Sequence, residues 1–200
     1  MKLSIAFNST LFLLALNSPV NAAVLYSNLD TSNSFDTSSA WGNTYSNAME
    51  FTPIASGAII SADLALSFST SFAPYTATIS LYSSANSGAG PDILLESTTV
   101  NVTNPFGSDT LTSVSFSGLS TLISGQFYWL KAYDSNGGQL WNFNNIGVQG
   151  YFSQNDQSFS NYTLGAFRIN GTTTVPEPSS IILLALGLGS ILVTSTKRRT

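Results

Sequence analysis

Hydrophobic and polar residues alternate along much of the chain between residues 23 and 174. Apolar side chains occupy every second position at 60–68, 77–81, 114–116 and 128–132. Alternation with a period of two is typical of β-strands that bury one face. Further short strands are expected at Val24–Tyr26, Met49–Pro53, Leu94–Val102, Tyr151–Phe152 and Ala166–Ile169. In this part of the sequence no helical stripe exceeds two turns, so the pattern predicts an all-β domain.

The connections between these predicted strands are short and rich in Gly, Asn, Asp and Ser, which are the residues that turns require. Asn136-Gly137-Gly138 offers positions for a positive φ angle and predicts a hairpin from the strand at 127–133 into Leu140–Phe143. Many short strands separated by such turns favour an antiparallel β-sandwich, jelly-roll-like, in a single domain spanning residues 23–174.

The beginning of the chain has the three parts of a secretory signal peptide. Lys2 is positively charged, residues 11–16 are apolar, and Val20-Asn21-Ala22 places small residues where a signal peptidase reads them. We therefore predict a signal peptide over 1–22 with cleavage between Ala22 and Ala23. The alternative is a retained anchor, but the apolar run is short for a hydrocarbon layer of about 30 Å.

The end of the chain has a second apolar segment. Residues 179–196 carry no charge and are followed by Lys197, Arg198 and Arg199. Because positive charge stays on the cytoplasmic side, these three residues act as a topology signal for a transmembrane helix. Val175-Pro176-Glu177-Pro178 precedes the helix, and its two prolines keep this stretch extended and open to a processing enzyme. An ordinary single-span anchor is the alternative.

This tail resembles the PEP-CTERM sorting signal, which combines a Pro-Glu-Pro motif, a hydrophobic helix and a basic cluster at the chain end. The resemblance covers residues 175–200 and implies recognition and cleavage by an exosortase, a transpeptidase of the inner membrane. It also implies a bacterium with an outer membrane that makes exopolysaccharide. The expected route is a transient stay in the inner membrane, followed by release to the outer surface or the extracellular matrix.

Composition narrows the chemistry of the exported part. The chain has no His and no Cys, which removes the commonest general base, the commonest transition-metal ligand and any thiol nucleophile. Residues 23–174 contain nine acidic residues against Lys131 and Arg168, a net charge of −7. Nucleic acid is therefore not an expected partner, because phosphate affinity needs clustered basic residues. We expect a protein that is not an enzyme.

Aromatic residues offer one candidate binding surface. If Lys131 faces water, Phe127, Trp129 and Tyr133 share its face, and Trp141 and Phe143 can pair with them across the predicted hairpin. An exposed row of Trp129, Tyr133, Trp141 and Phe143 can stack on sugar rings. The alternative is that these rings are packed, either within a strand buried on both faces or under the 152–162 segment. The sequence favours the packed arrangement.

The carboxylates and the remaining turns give weaker signals. Any two of the nine acidic residues can form a glycosidase pair, but none lies in a motif, and most are in or beside turns. Asp134-Ser135-Asn136-Gly137 is similar to the first half of a calcium loop, yet Asn145 stands where an EF-hand requires Glu. A turn is the favoured interpretation. No cofactor is predicted, and calcium bound elsewhere stays open.

A second resemblance lies inside the domain. It is similar to the choice-of-anchor ectodomains, β-sandwiches that occur with different surface anchors, PEP-CTERM tails among them. The matching segments are Ile79–Tyr82, Gly90–Leu95, Leu122–Leu130, Leu140–Asn142 and Ala166–Ile169. This resemblance implies a fold and a surface location, without an activity. The function expected is a structural or adhesive component associated with extracellular polysaccharide; the alternatives are a carbohydrate-binding module and, less favoured, a carboxylate-based glycan hydrolase.

Overall fold

The computed structural model describes residues 20–174, and residues 21–173 form one compact unit. These residues contain strands and turns and no helix. The strands, in chain order, are β1 Val20–Ser27, β2 Ala40–Thr44, β3 Ser46–Phe51, β4 Gly57–Leu64, β5 Leu66–Phe68, β6 Tyr75–Ser84, β7 Ile93–Val102, β8 Thr112–Ser115, β9 Thr121–Leu122, β10 Phe127–Tyr133, β11 Gln139–Asn142, β12 Gln149–Gln154, β13 Gln157–Thr163 and β14 Phe167–Thr174. The prediction of an all-β domain is confirmed.

The strands form three sheets. A five-stranded sheet has the order β1-β14-β4-β8, with β9 also paired to β4, and a six-stranded sheet has the order β13-β12-β3-β10-β6-β7. Neighbouring strands run antiparallel, as in β4 with β14 and β10 with β3. The sheets form a sandwich-like arrangement, as predicted. The third sheet, β2-β11-β5, is an addition that the sequence pattern did not predict.

The core lies between the inward faces of these sheets. Tyr128, Leu130 and Ala132 on β10 are buried as the alternation predicted, and so are Ala77, Ile79 and Leu81 on β6. The rings of Phe51 and Phe167 meet edge to face, with centroids 5.6 Å apart. Such aromatic contacts add to the free energy gained by burying apolar surface, so they help to hold the two large sheets together.

The single strand predicted over 60–68 is wrong in two details. A β-bulge where β4 pairs with β14 leaves Ile59 fully buried, whereas Ile60 is 37% exposed. A bulge inserts one extra residue and therefore reverses the alternation on one side of it. At Ala65 the chain leaves the five-stranded sheet, and Leu66 begins β5 in the three-stranded sheet.

The predicted hairpin between residues 127–133 and Leu140–Phe143 is also wrong. The turn exists, with φ of 73° at Gly137, but β11 pairs with β2 and β5 instead of β10. Strand β10 is already paired on both edges, with β3 and β6. No edge of β10 is therefore free for β11.

Polar side chains on the other face of the five-stranded sheet converge on Asp63. Its Oδ2 accepts hydrogen bonds from Nε and Nη2 of Arg168, at 3.0 and 2.8 Å, and from Nδ2 of Asn170 at 3.0 Å. Its Oδ1 accepts one from the Ser113 hydroxyl at 2.6 Å. Burial raises the pKa of Asp63, but these hydrogen bonds outweigh burial and the net pKa is lowered. The carboxylate thus ties β4 to β14 on one side and to β8 on the other.

This network predicts acid sensitivity. A lowered carboxyl pKa contributes stability that is complete above the unfolded-state value of about 3.9 and is lost as pH falls through the lower folded-state value. We expect Asp63→Asn to lower the free energy of unfolding by about 1–3 kcal/mol at pH 7. Below about pH 4, the free energy of unfolding of the variant should decrease less with falling pH than that of the unchanged protein. Urea unfolding across pH measures both effects, with exposed Asp109→Asn as the control. If the free energy of unfolding of Asp63→Asn falls below about pH 4 as steeply as that of the unchanged protein, the lowered pKa of Asp63 is contradicted.

Candidate functional site

The predicted processing residues fall at the two ends of the chain. Val175, Pro176, Glu177 and Pro178, the predicted helix over 179–196, and Lys197, Arg198 and Arg199 lie outside the described residues, as do residues 1–19 of the leader. The predicted bond between Ala22 and Ala23 lies within β1. Residues 20–174 include no helix that is long and apolar enough to cross a membrane.

Trp129 and Tyr133 lie on the face of β10 that points away from the core, but their surroundings differ. Trp129 stands opposite Glu50 on β3 and Tyr82 on β6, and its side chain is fully buried. Tyr133, at the end of the strand, is 45% exposed. The exposed aromatic row is therefore not formed on β10, because one of its two members there is covered.

The segment between β6 and β7 is hydrogen-bonded to Glu50, which stands opposite Trp129. The Glu50 carboxylate accepts hydrogen bonds from the Ser87 hydroxyl at 2.7 Å and from the Gly88 backbone N–H at 2.6 Å. A Cβ atom at Gly88 would lie 2.6 Å from the ring of Tyr151, so this close approach needs glycine. Because Glu50 and Trp129 share a face, this segment is bound on the side of the sheet that holds the indole.

Trp141 and Phe143 are separated from Trp129 and Tyr133 because β11 belongs to the three-stranded sheet. Trp141 is fully buried, and its Nε1 donates a hydrogen bond to the Ala166 carbonyl at 3.0 Å. Phe143 is half-buried against Trp41, with ring centroids 5.2 Å apart. The packed arrangement that the sequence favoured is observed for Trp129 and Trp141, whereas Phe143 is only partly covered.

Phe143 belongs to an aromatic cluster made of Trp41, Phe143, Phe152, Phe159 and Tyr162. Trp41 is its centre: its ring stacks on Phe152 at 4.0 Å between centroids and meets the edge of Tyr162 at 5.6 Å. Its Nε1 donates a hydrogen bond to the Thr163 carbonyl at 2.8 Å. The sequence placed Phe143 under the 152–162 segment as one alternative, but it did not identify Trp41.

A groove of about 550 Å³ opens beside this cluster. Its walls are the 35–37 segment, the 143–147 segment and Thr163, and we call it the Asp36 groove. The Asp36 N–H donates to the Phe143 carbonyl at 2.9 Å, and the Phe143 N–H donates to the Ser39 carbonyl at 3.0 Å. These backbone bonds fix the two walls against each other, so the groove does not depend on side-chain contacts alone.

The polar groups of the Asp36 groove are also held in place. The Ser38 hydroxyl and backbone N–H both donate to Oδ1 of Asp36, at 2.6 and 2.7 Å, and they lower the pKa of this carboxyl group. Asn144 stabilises the loop over residues 144–148, because its Oδ1 accepts a hydrogen bond from the Val148 N–H at 2.7 Å. Asn145 donates from Nδ2 to the Ser34 hydroxyl at 2.8 Å. Carboxylate, amide and aromatic groups thus meet in one preformed concave surface.

Sequence reasoning missed this groove. Its residues come from three distant stretches of the chain, and the only local signal was the regular spacing of oxygen-bearing residues at Asp30, Ser32, Ser34 and Asp36. In the structure Asp30 binds the backbone N–H groups of Ser32 and Ser34, at 2.9 and 2.7 Å. This spacing therefore builds the turn that leads into the groove.

The segment that resembled a calcium loop is a turn. Asp134 is buried, and its carboxylate accepts hydrogen bonds from the backbone N–H groups of Asn136 at 2.9 Å and Gly138 at 3.1 Å. Both carboxylate oxygens are thereby used by the backbone of the turn. Among residues 20–174 no three His, Cys, Asp or Glu side chains are grouped as a metal ion would need.

Comparison with known protein families gives one match, at the end of the chain. Residues 174–199 match the PEP-CTERM protein-sorting motif. The chain thus carries the C-terminal membrane-anchor and sorting signal of exported proteins that are processed by an exosortase, as its resemblance implied. The match begins at Thr174, the last residue of β14.

The motif match does not extend into residues 23–173, so the choice-of-anchor resemblance of the β-sandwich stays a prediction. No curated protein matches the chain.

Proposed function

We propose that the exported β-sandwich is a non-catalytic structural or adhesive component of the outer surface or extracellular matrix, associated with exopolysaccharide. The observation that carries the proposal is the position of the sorting motif immediately after β14. Cleavage near Pro176-Glu177-Pro178 would remove the apolar tail and cut none of the strands β1–β14. The released product would keep β2–β14 whole and β1 from Ala23 onward, which suits a component that persists outside the cell.

The way the carboxylates are used supports a role without catalysis. Asp30, Asp36, Asp63 and Glu96 all have a lowered pKa. Burial raises the pKa of Asp63 and Glu96, but the hydrogen bonds that these two carboxylates accept lower it by more. A glycosidase acid needs a raised pKa so that it is protonated near neutral pH. These four groups therefore hold turns and strands together instead of serving as proton donors.

The predicted signal cleavage also fits this route. The bond between Ala22 and Ala23 lies in β1, which is next to β14 in the five-stranded sheet. A peptidase needs an unpaired, extended substrate, so cleavage by the signal peptidase would precede the pairing of β1 with β14. Because β14 is the last of the strands β1–β14 to be synthesised, the sandwich would close after export of nearly the whole ectodomain.

Fractionation of the producing bacterium tests the proposed role. We expect the processed protein in the outer-surface or extracellular polymer fraction, and we expect it to leave that fraction when the polysaccharide is digested. We also expect the purified protein to release no reducing ends from the host polysaccharide. Recovery only in the periplasm, or steady release of reducing ends, would contradict the proposal.

A further inference from the structure

The Asp36 groove combines groups that recognise hydroxyl-rich, uncharged ligands. Asp36 supplies a carboxylate that stays ionised, Asn145 an amide, and Thr37 and Thr163 supply hydroxyl groups, while Phe143 adds an aromatic ring. Saccharides carry adjacent hydroxyl groups that donate to carboxylates, and apolar C–H faces that pack on aromatic rings. Hydrogen bonds to an ionised acceptor are stronger than bonds between neutral groups. From this juxtaposition we propose that the Asp36 groove binds a neutral saccharide.

The groove is built before any ligand arrives. Its two main walls are joined by backbone hydrogen bonds between Asp36, Phe143 and Ser39, and the Asn142 side chain donates to the Asp36 carbonyl at 3.1 Å. The Ser38 hydroxyl and backbone N–H both donate to Oδ1 of Asp36, and hydrogen bonds from Ser39 also lower the pKa of this carboxyl group, so the carboxylate is held in place. Fixed donors and acceptors lose little conformational entropy on binding, which favours affinity for small ligands.

The charge around the groove selects against acidic saccharides. None of the residues that line it is basic, and Asp30 lies close by, since Asn145 Nδ2 is 3.4 Å from its Oδ2. The exported part of the chain has a net charge of −7. A carboxylated or sulfated sugar would meet like charge both in the groove and at long range. A neutral sugar pays no such cost.

The size of the groove agrees with a short stretch of a polysaccharide. Ligand sites for small molecules typically occupy about 300–1,000 Å³, and this groove, at about 550 Å³, lies within that range. The inference rests on the proposed export to a polysaccharide-rich surface, because that surface supplies the ligand. It deepens the proposed role by giving the adhesive protein one site and one class of ligand.

Two glycines provide a matched test. Gly147 lines the groove with φ of 76°, and Gly125 lies in a distant turn with φ of 82°. A Cβ atom at either position would meet nothing within 4 Å. Asn tolerates a positive φ better than other residues with a side chain, so both variants should fold alike. Gly147→Asn adds a side chain at a residue that lines the groove, whereas Gly125→Asn adds one in a turn outside it.

The experiment measures binding of the full chain, produced with its own leader and tail, to soluble neutral gluco-, manno-, galacto- and xylo-oligosaccharides and to an oligogalacturonate. We expect at least one neutral oligosaccharide to bind, Gly147→Asn to weaken its binding about tenfold or more, and Gly125→Asn to leave it unchanged. Asp36→Asn should weaken it as well, with Asp109→Asn as its control. Matching melting temperatures would show that each pair is folded alike.

Three results would overturn the inference: no binding of any neutral oligosaccharide, equal binding by Gly147→Asn and Gly125→Asn, or a preference for the oligogalacturonate. Each of these results leaves the surface location untouched, because fractionation measures that location without a ligand. Failure of the saccharide site and failure of the proposed function are thus separate outcomes.

Discussion

Trp141→Ala is expected to lower the free energy of unfolding by about 3–5 kcal/mol, as large aromatic deletions in protein cores do. Trp141 is fully buried, and its ring lies 5.8 Å from that of Phe167, between centroids. A Cβ atom at Gly165 would lie 2.4 Å from the indole, so the backbone of residue 165 packs directly on it. The cavity left by the deletion would lie in the core, where the surrounding strands can close it only partly. Urea unfolding of the processed protein measures the change.

A paired variant keeps this prediction testable if Trp141→Ala does not fold. Trp141→Phe and Trp129→Phe remove the same volume from fully buried sites. Nε1 of Trp141 donates to Ala166, whereas Nε1 of Trp129 has no hydrogen-bond partner among residues 20–174. Trp141→Phe should therefore be the more destabilising, by about 1 kcal/mol or more. Equal losses, or a greater loss in Trp129→Phe, would contradict the hydrogen-bond assignment.

Replacing the sorting motif should have the largest effect on the fate of the protein. In the variant Pro176→Ala, Glu177→Ala, Pro178→Ala, we expect processing to stop and the full-length tail to remain in the membrane fraction. The substitutions remove both prolines, whose rings restrict φ, and the charge between them. Ser179→Ala with Ser180→Ala is the matched control, since it changes neighbouring small residues and keeps the segment uncharged. Immunoblots of membrane and released fractions measure both variants. Normal release of the motif variant would show that another sequence directs processing.

Much of the fold could be predicted because alternation is a local property. On β6 from Tyr75 to Leu81, and on β10 from Tyr128 to Ala132, every second side chain is apolar, and those side chains are buried. The failures arise from pairings that no local pattern encodes. Ile59 and Ile60 are chemically alike, and only the bulge against β14 decides which of them is buried. The turn after β10 was identified correctly, yet β11 joins β2 and β5 because both edges of β10 are occupied.

The same distinction applies to the functional features. The sorting signal is linear, so its Pro-Glu-Pro motif, apolar segment and basic cluster could be recognised in the sequence in that order. The Asp36 groove is assembled from residues more than a hundred positions apart, such as Asp36 and Phe143. The aromatic surface could not be assigned from composition, because Trp129 and Tyr133 share a face of β10, yet Trp129 is fully buried and Tyr133 is 45% exposed.

Intact-mass analysis of the protein that reaches the cell surface tests the central claim most directly, in cells with and without the exosortase. With the exosortase present, we expect the mass of a chain that begins at Ala23 and ends near Pro176-Glu177-Pro178. Without the exosortase, we expect the mass to include the tail. A surface form that still carries residues 179–200 in cells with an active exosortase would contradict it.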